Sequence, residues 1–326
     1  MTSIAIAILN WNGAPLLKRF LKEVVENSSE AIVYLIDNHS SDGSVEYVMK
    51  NHPKVNIIRL DKNYGYAGGY NKGLVEIQEE LVCLLNNDVS VKKGWLPPVL
   101  DHFDKHPQTA IAQPHIMDLK APTKFEYAGA AGGFIDRLGY PYCRGRIFNH
   151  LEEDKGQYDF DEKVFWASGA CFFIKKQIFE SVGGFDEDFF AHMEEIDLCW
   201  RINNQRYDVY SLYQSKVYHQ GAGTLKLSPQ KTYLNFRNSL YMLLKNLPEK
   251  RGYRIFERMI WDGISIVFFL FQLKFGSAFA VIKAHFSFYK NFRGMLKKQK
   301  KQNVLKNYYK RSFLPFRYFF LKRKNL

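Results

Sequence analysis

The sequence predicts an α/β protein built on a doubly wound, parallel sheet. Three observations carry that expectation. Short apolar runs alternate with stretches of helical spacing, and the connections between them are short. Several runs stop abruptly at Asn or Asp, and a glycine-rich stretch follows the third run. If the strands are parallel, the polar residues that end them share one sheet edge, which is where ligands bind in open α/β sheets.

The elements follow in order. Residues 3–9, SIAIAIL, form the first strand, with Asn10-Trp11-Asn12-Gly13 as its loop. Pro15 opens a helix through about Val25, with Leu16, Leu17, Phe20, Leu21 and Val24 on one face. Residues 31–36, AIVYLI, form the second strand, and Asp37 ends it. A polar turn over 38–44 leads into a helix over 45–50, and residues 55–60 form the third strand. In NYGYAGGYNKG (63–73), Gly65, Gly68 and Gly69 let backbone approach a ligand and supply N–H groups near a helix start. The spacing is neither GxGxxG nor GxxxxGK[ST], so a dehydrogenase or P-loop reading is weak.

The fourth strand, 81–85, ends in Asn86-Asn87-Asp88. A short apolar run with polar ends suits a buried parallel strand. Two amides and a carboxylate there fit a cation and a diphosphate, because magnesium and manganese often use few protein carboxylates plus phosphate oxygens. Taken alone they fit a polar turn equally well. Residues 110–165, rich in Gly, Pro and Tyr, read as mixed strands and loops covering the site. Residues 164–175 read as a strand interrupted by Ala167-Ser168-Gly169-Ala170, either a bulge or room for a substrate.

In GGFDEDFFAHMEEIDLCWR (183–201), Glu194, Glu195 and Asp197 open a helix. Capping of the helix dipole is one reading. The other is catalytic: three carboxylates within four positions repel, and a partly buried member gains the proton affinity that suits a general base. His219, glycine-flanked after an apolar segment, is a candidate for contact with metal or phosphate.

Composition bounds the class. The 326 residues allow one large domain with an appendage, or two domains. Cys83, Cys143, Cys171 and Cys199 form no CxxC or zinc spacing and read as buried, reduced thiols of a cytosolic protein. The N-terminal segment lacks a basic n-region and reads as the first strand, not a signal peptide. The net charge of +13 is uneven: residues 263–326 hold 15 Lys/Arg and no Asp/Glu, and the preceding 262 residues are near neutral. Such asymmetry points to an anionic partner.

Taken together, ILNWNG (8–13), IDNHSSDGS (36–44), NYGYAGGYNKG (63–73), LLNNDV (84–89), WASGACFFIKK (166–176), GGFDEDFF (183–190), MEEIDLCWR (193–201) and HQGAGT (219–224) resemble, in order and spacing, the inverting family 2 glycosyltransferases, in particular a rhamnosyltransferase-like branch. The resemblance covers about residues 3–245. It implies the GT-A fold, a Rossmann-like mixed sheet flanked by helices. It implies a nucleotide pocket lined by Asn10 and Asn12, with Asp37 on the pyrimidine base and Asn63, Gly69 and Asn71 around ribose and diphosphate. Asn86-Asn87-Asp88 matches the DXD-type motif, with Asp88 holding Mg2+ or Mn2+ and His219 approaching it; Asn replaces the usual first Asp. Glu194-Glu195 matches the family's Glu-Asp pair. Glu195 would deprotonate the acceptor hydroxyl, with Glu194 or Asp197 as the other candidates. Trp166, Ser168 and Gly169, with Trp200-Arg201, would face acceptor or diphosphate. The implied reaction is a single displacement that inverts the anomeric centre of a nucleoside-diphosphate sugar. The implied acceptor is a lipid-linked or polysaccharide glycan of the cell surface, such as O-antigen, capsule or cell wall. The other classes to separate are a nucleotide-sugar or nucleic-acid binding protein without catalysis and a nucleotidyltransferase, which would release pyrophosphate.

Residues 1–225 thus read as the catalytic domain and 226–326 as a helical region. In the latter Tyr233, Phe236, Leu240, Leu243 and Leu244 are expected to face inward. Gly263–Leu273, the most apolar run, falls short of the roughly 20 residues a bilayer crossing needs. Basic pairs (Lys297-Lys298, Lys300-Lys301, Lys310-Arg311 and the triplet 322–324) interleave with Tyr308, Tyr309, Phe313, Phe316, Tyr318, Phe319 and Phe320. That mixture suits peripheral attachment to the anionic inner leaflet rather than nucleic acid. Oligomeric state leaves no mark in the sequence.

Overall fold

The computed structural model describes residues 2–221, 228–299 and 305–322. Ala222, Gly223 and Thr224 of the HQGAGT motif, Lys300-Lys301, Arg323-Lys324 and the side chain of Phe320 lie outside the described residues. The first seven elements alternate as the apolar spacing predicts: β1 (Ile4–Asn10), α1 (Ala14–Glu26), β2 (Ile32–Asp37), α2 (Ser44–Asn51), β3 (Asn56–Arg59), α3 (Gly65–Gly73) and β4 (Leu81–Asn86). The glycine-rich stretch is itself the helix α3. Its glycines let it lie close on the sheet: a Cβ on Gly69 would stand 2.7 Å from Leu9 Cδ1.

Beyond β4 come β5 (Val89–Val91), α4 (Pro97–Lys105) and β6 (Thr109–Asp118). A four-stranded small sheet follows, of β7 (Gly133–Ile135), β8 (Pro141–Cys143), β9 (Arg146–Ile147) and β10 (His150–Leu151). The chain then rejoins the main sheet through β11 (Glu162–Lys163), β12 (Cys171–Lys175), α5 (Lys176–Ser181), α6 (Glu194–Asn204) and β13 (Asp208–His219). The strand expected over 164–175 is only β12; residues 164–170 connect it to the small sheet through a Gly133–Trp166 bridge.

The main sheet has the order β11-β13-β6-β12-β4-β1-β2-β3, with β5 on β13. β3-β2-β1-β4 are parallel, as are β6 and β13; β12 runs antiparallel to β4 and to β6, and β5 and β11 antiparallel to β13, so the sheet is mixed. β1 alternates across it. Ile4, Ile6 and Ile8 pack with Leu17, Leu21 and Val24 of α1, and Ala5 and Ala7 lie in the core shared with α3.

The helical region is α7 (Pro229–Asn246), α8 (Arg251–Phe271) and α9 (Phe275–Lys297). Leu240, Leu243 and Leu244 are buried as expected, and Tyr233 and Phe236 are half-buried. These helices share one core with the sheet through Leu240–Leu244, Phe288 and Tyr308. Among the described residues no helix is long and apolar enough to cross a membrane.

Candidate functional site

The ends of β1, β2 and β4 meet in a web of amides. Asn10, fully buried, accepts from Asn87 Nδ2 (2.9 Å) and donates to Ser40 Oγ (3.2 Å). Ser40 Oγ also accepts from the Asn12 backbone, and Asp37 accepts from Ser40 N. Asn38, not singled out in the sequence, donates to Asn63 Oδ1 (2.9 Å) and accepts from Tyr64 N (2.9 Å). Thus Asn10, Asn12, Asp37, Asn63 and Asn87 converge at one sheet edge.

Asp88 follows β4 and is fixed by the pairing of β5 with β13, which sets Val89 opposite His219. Asp88 Oδ1 lies 3.0 Å from His219 Nε2, and Glu126 Oε2 lies 3.2 Å from His219 Nδ1. All three side chains are buried. Burial opposes charge on the imidazole, but the two carboxylates outweigh it and push its pKa up to about 10. Glu126 stands in the irregular stretch before the small sheet, where no periodicity marked it.

These groups fit a divalent cation in a definite way. Among the described residues no three carboxylate, imidazole or thiol groups converge into a ready cage. The reason is geometric: His219 uses opposite ring nitrogens for Asp88 and Glu126. Metal-ligating histidines commonly rest one nitrogen on a carboxylate and offer the other to the ion. Glu126, 3.2 Å from Nδ1, would fill the orienting role, which would leave Asp88 and His219 Nε2 as an oxygen and nitrogen pair for an ion that substrate phosphates would complete.

The acidic pair reaches the same edge by a different route. Phe190, His192 and Met193 adopt left-handed φ angles of 66°, 69° and 72°, rare for such side chains. This turn starts α6 and puts Glu194 and Glu195 in its first turn. One carboxyl oxygen of each is buried without a hydrogen-bond partner. Burial, then the neighbouring Glu195 charge, raise Glu194 well above the usual carboxylate range. Burial pushes Glu195 up to about 7, against the pull of backbone N–H groups at 193, 195 and 196. Glu194 therefore holds its proton, and Glu195 ionises near neutrality.

Contacts run from one cluster to the other. Asn86 N donates to Ala170 O (3.0 Å), Tyr66 Oη to Gly169 O (2.8 Å), and Tyr66 N to Phe190 O (3.2 Å). Both Glu126 and Glu195 lie within electrostatic reach of the buried Cys143 thiol. Gly169 and Ala170 thus stand between β4 and the acidic turn, while the buried Ser168 donates its backbone N–H to Gln113 Oε1 (2.8 Å).

The turn is held from the helical region. Asn238 Nδ2 donates to the carbonyls of Phe189 (2.9 Å), Ala191 (2.9 Å) and His192 (2.7 Å), and Arg237 to those of Asp188 (2.9 Å) and Phe189 (3.0 Å). Lys245 joins Asp186 (2.7 Å) to Asp197 (2.9 Å).

Five side chains with expected roles at the site, and Gly69, make interior contacts. Asp197 is paired with Arg201 and Lys245; burial opposes its charge, but these cations hold it down at about 2. It is engaged as an ion-pair partner. Arg201 is used up on Asp197 and the carbonyls of Val182 and Gly184. Trp200 stacks on Tyr308 at 4.8 Å in the core. Trp166 is buried and donates to Phe134 O (2.9 Å), anchoring the small sheet. Asn71 binds the backbone of Phe185, and Gly69 lets α3 pack on Leu9.

The family model described as Glycosyl transferase family 2 matches residues 3–183. The N-acetylglucosaminyl-diphospho-decaprenol L-rhamnosyltransferase of Mycobacterium tuberculosis is 24% identical over 260 residues, 74% of this chain and 83% of that protein. A mannosyltransferase of Pyrobaculum calidifontis, solved with GDP-Man and Mn2+, shares the fold at TM-score 0.53 and 14% identity, over 91% of this chain and 84% of that one. GalNAc-T7, solved with UDP, GalNAc and Mn2+, does so at TM-score 0.61 and 16% identity, over 78% of this chain and half of that one.

Proposed function

The chain belongs to glycosyl transferase family 2 and is a glycosyltransferase, and on that premise we propose that it transfers a sugar, with inversion, from a nucleoside diphosphate to a lipid-linked glycan acceptor in cell-surface glycan synthesis. The observation that carries this is the pairing at one sheet edge of a buried Asp88–His219–Glu126 cluster with a glutamate whose pKa is about 7. Asn10, Asn12, Asp37, Asn63 and Asn87 would hold the nucleotide. Asp88 and His219 would hold Mg2+ or Mn2+, which when bound neutralises charge on the departing diphosphate. Glu195 takes the proton of the attacking hydroxyl. Glu194, kept neutral beside it, spares Glu195 a second negative charge. The rhamnosyl branch named by the relative, and its lipid diphosphate acceptor, are the first donor and acceptor to try.

The helical region, about 226–326, would dock the catalytic part, about 1–225, on the inner face of the membrane. α8 and α9 form a hairpin whose tip exposes Phe271 (85%), Leu273 (74%) and Phe275 (62%). Lys274, Lys283, Lys290 and Arg293 accompany this apolar face. Each basic residue near an anionic surface contributes about 1 kcal/mol.

The test is incubation of the full chain with nucleotide sugars, Mn2+ and a polyprenyl-diphosphate-linked sugar. A glycosylated lipid of inverted anomeric configuration and a free nucleoside diphosphate are expected. Release of pyrophosphate would contradict the proposal.

A further inference from the structure

Two cations near the site form no ion pair among the described residues, although the Glu126 charge acts on both. Arg146, at the start of β9, is only 6% exposed, yet among the described residues no carboxylate lies within ion-pair distance of it. Its hydrogen bonds are weak, 3.4 Å to Cys143 Sγ and 3.5 Å to Phe148 O, and its Nε is buried without a partner. A buried guanidinium left so is costly unless an anion completes it. Its face lies against the ring of Tyr127 at 4.6 Å, and Tyr127 is 47% exposed and follows Glu126 directly in sequence. Lys231, in the first turn of α7, is half-buried, and among the described residues its ammonium has neither ion pair nor hydrogen bond. Burial lowers its proton affinity, with Glu126 the charge that acts against this, and Lys231 in turn acts on His192. Lys231 opens α7, the helix whose Asn238 holds the turn bearing Glu195, and is within electrostatic reach of Glu126 and His192; Arg146 flanks Glu126 by way of Tyr127.

We propose that Arg146 and Lys231, with Tyr127 against the guanidinium, form an anion subsite for the diphosphate of the lipid-linked acceptor, separate from the donor diphosphate at Asp88. The inference rests on the proposed function. It assigns the acceptor's charged group to a place that brings its sugar to Glu195. Guanidinium is suited to phosphate oxygens, and the flanking ammonium adds a point charge.

The probe is farnesyl diphosphate, titrated calorimetrically into the full chain saturated with nucleoside diphosphate and Mn2+, with farnesol as the uncharged control. The expected result is binding of farnesyl diphosphate at least tenfold tighter than farnesol, with that preference lost in Arg146→Gln and in Lys231→Gln. Lys231→Gln, on a half-buried first turn, keeps the test open if Arg146→Gln does not fold. Equal affinity for the two lipids, or variants that retain the preference, would overturn the subsite. Displacement of farnesyl diphosphate by excess nucleoside diphosphate would give these cations to the donor and overturn it equally. Failure of the proposed function looks different: farnesyl diphosphate still binds, but no sugar reaches any lipid acceptor.

Discussion

In the α/β part, several charged side chains are buried and most large apolar side chains are covered; in α8 and α9 many apolar side chains stand out, and basic residues outnumber acidic ones seven to two. Buried charge in the first part is poised for chemistry: an imidazole between two carboxylates and a glutamate pair with unpartnered oxygens. Exposed apolar surface in the second suits docking. Helix α7 joins the two. It packs against α9 and holds the acidic turn through Arg237 and Asn238. On the proposed function, placement and chemistry are divided between the two regions, with α7 in contact with both.

The comparison breaks most visibly at the hairpin tip. Phe271→Ser, Leu273→Ser and Phe275→Ser together are expected to weaken binding to anionic vesicles roughly a thousandfold, at about 1.5 kcal/mol per side chain. Transfer to a soluble acceptor should stay unchanged. Vesicle sedimentation beside a solution assay reads both.

Asn238→Ala tests the link between the regions. Releasing three carbonyls of a strained turn should lower kcat roughly tenfold to a hundredfold, since small misplacement of a reacting group costs about that much. It should also shift the limb of the pH–rate profile that reports Glu195, which a change of global stability alone would not do. Glu126→Gln is expected to weaken Mn2+ affinity about tenfold or more by freeing His219 from its orienting partner, as titration of Mn2+ against donor binding would show.

The smallest effect is in pH. Glu195 must be ionised to accept a proton, so kcat/KM should rise with pH through about 7 and level above it. Stability runs the other way. The folded protein holds that proton at pH values where the unfolded chain, with a carboxylate near 4.3, has lost it. The contribution of Glu195 therefore falls as pH rises from the unfolded value through about 7, and denaturant titrations at pH 5.5 and 8 check it.

Much of this site was legible because strand ends and helix starts leave marks in sequence. Asn10, Asp37, Asp88 and His219 each close an apolar run, and Glu194-Glu195 opens a helix. Glycine was not legible in the same way. A glycine that admits a phosphate and one that admits a neighbouring strand look alike; at Gly69 the structure shows the close approach to Leu9 of β1. Asp197 and Arg201 show a related limit: two charges a turn apart do not announce that Lys245 of α7 will pair with Asp197. Glu126 and Asn238 left no signal, because an acid in an irregular loop and an amide within a helix are ordinary until the fold brings them to His219 and to the 189–192 carbonyls.

The central claim is that Glu195 acts on the acceptor while the amide web and Asp88 act on the donor. The most direct measurement is donor binding and transfer in Glu195→Gln, side by side with wild type and with Mn2+ present. Donor affinity within twofold of wild type and transfer lowered roughly a thousandfold are expected. Full transfer by Glu195→Gln, or donor affinity that falls as far as transfer does, would contradict the claim.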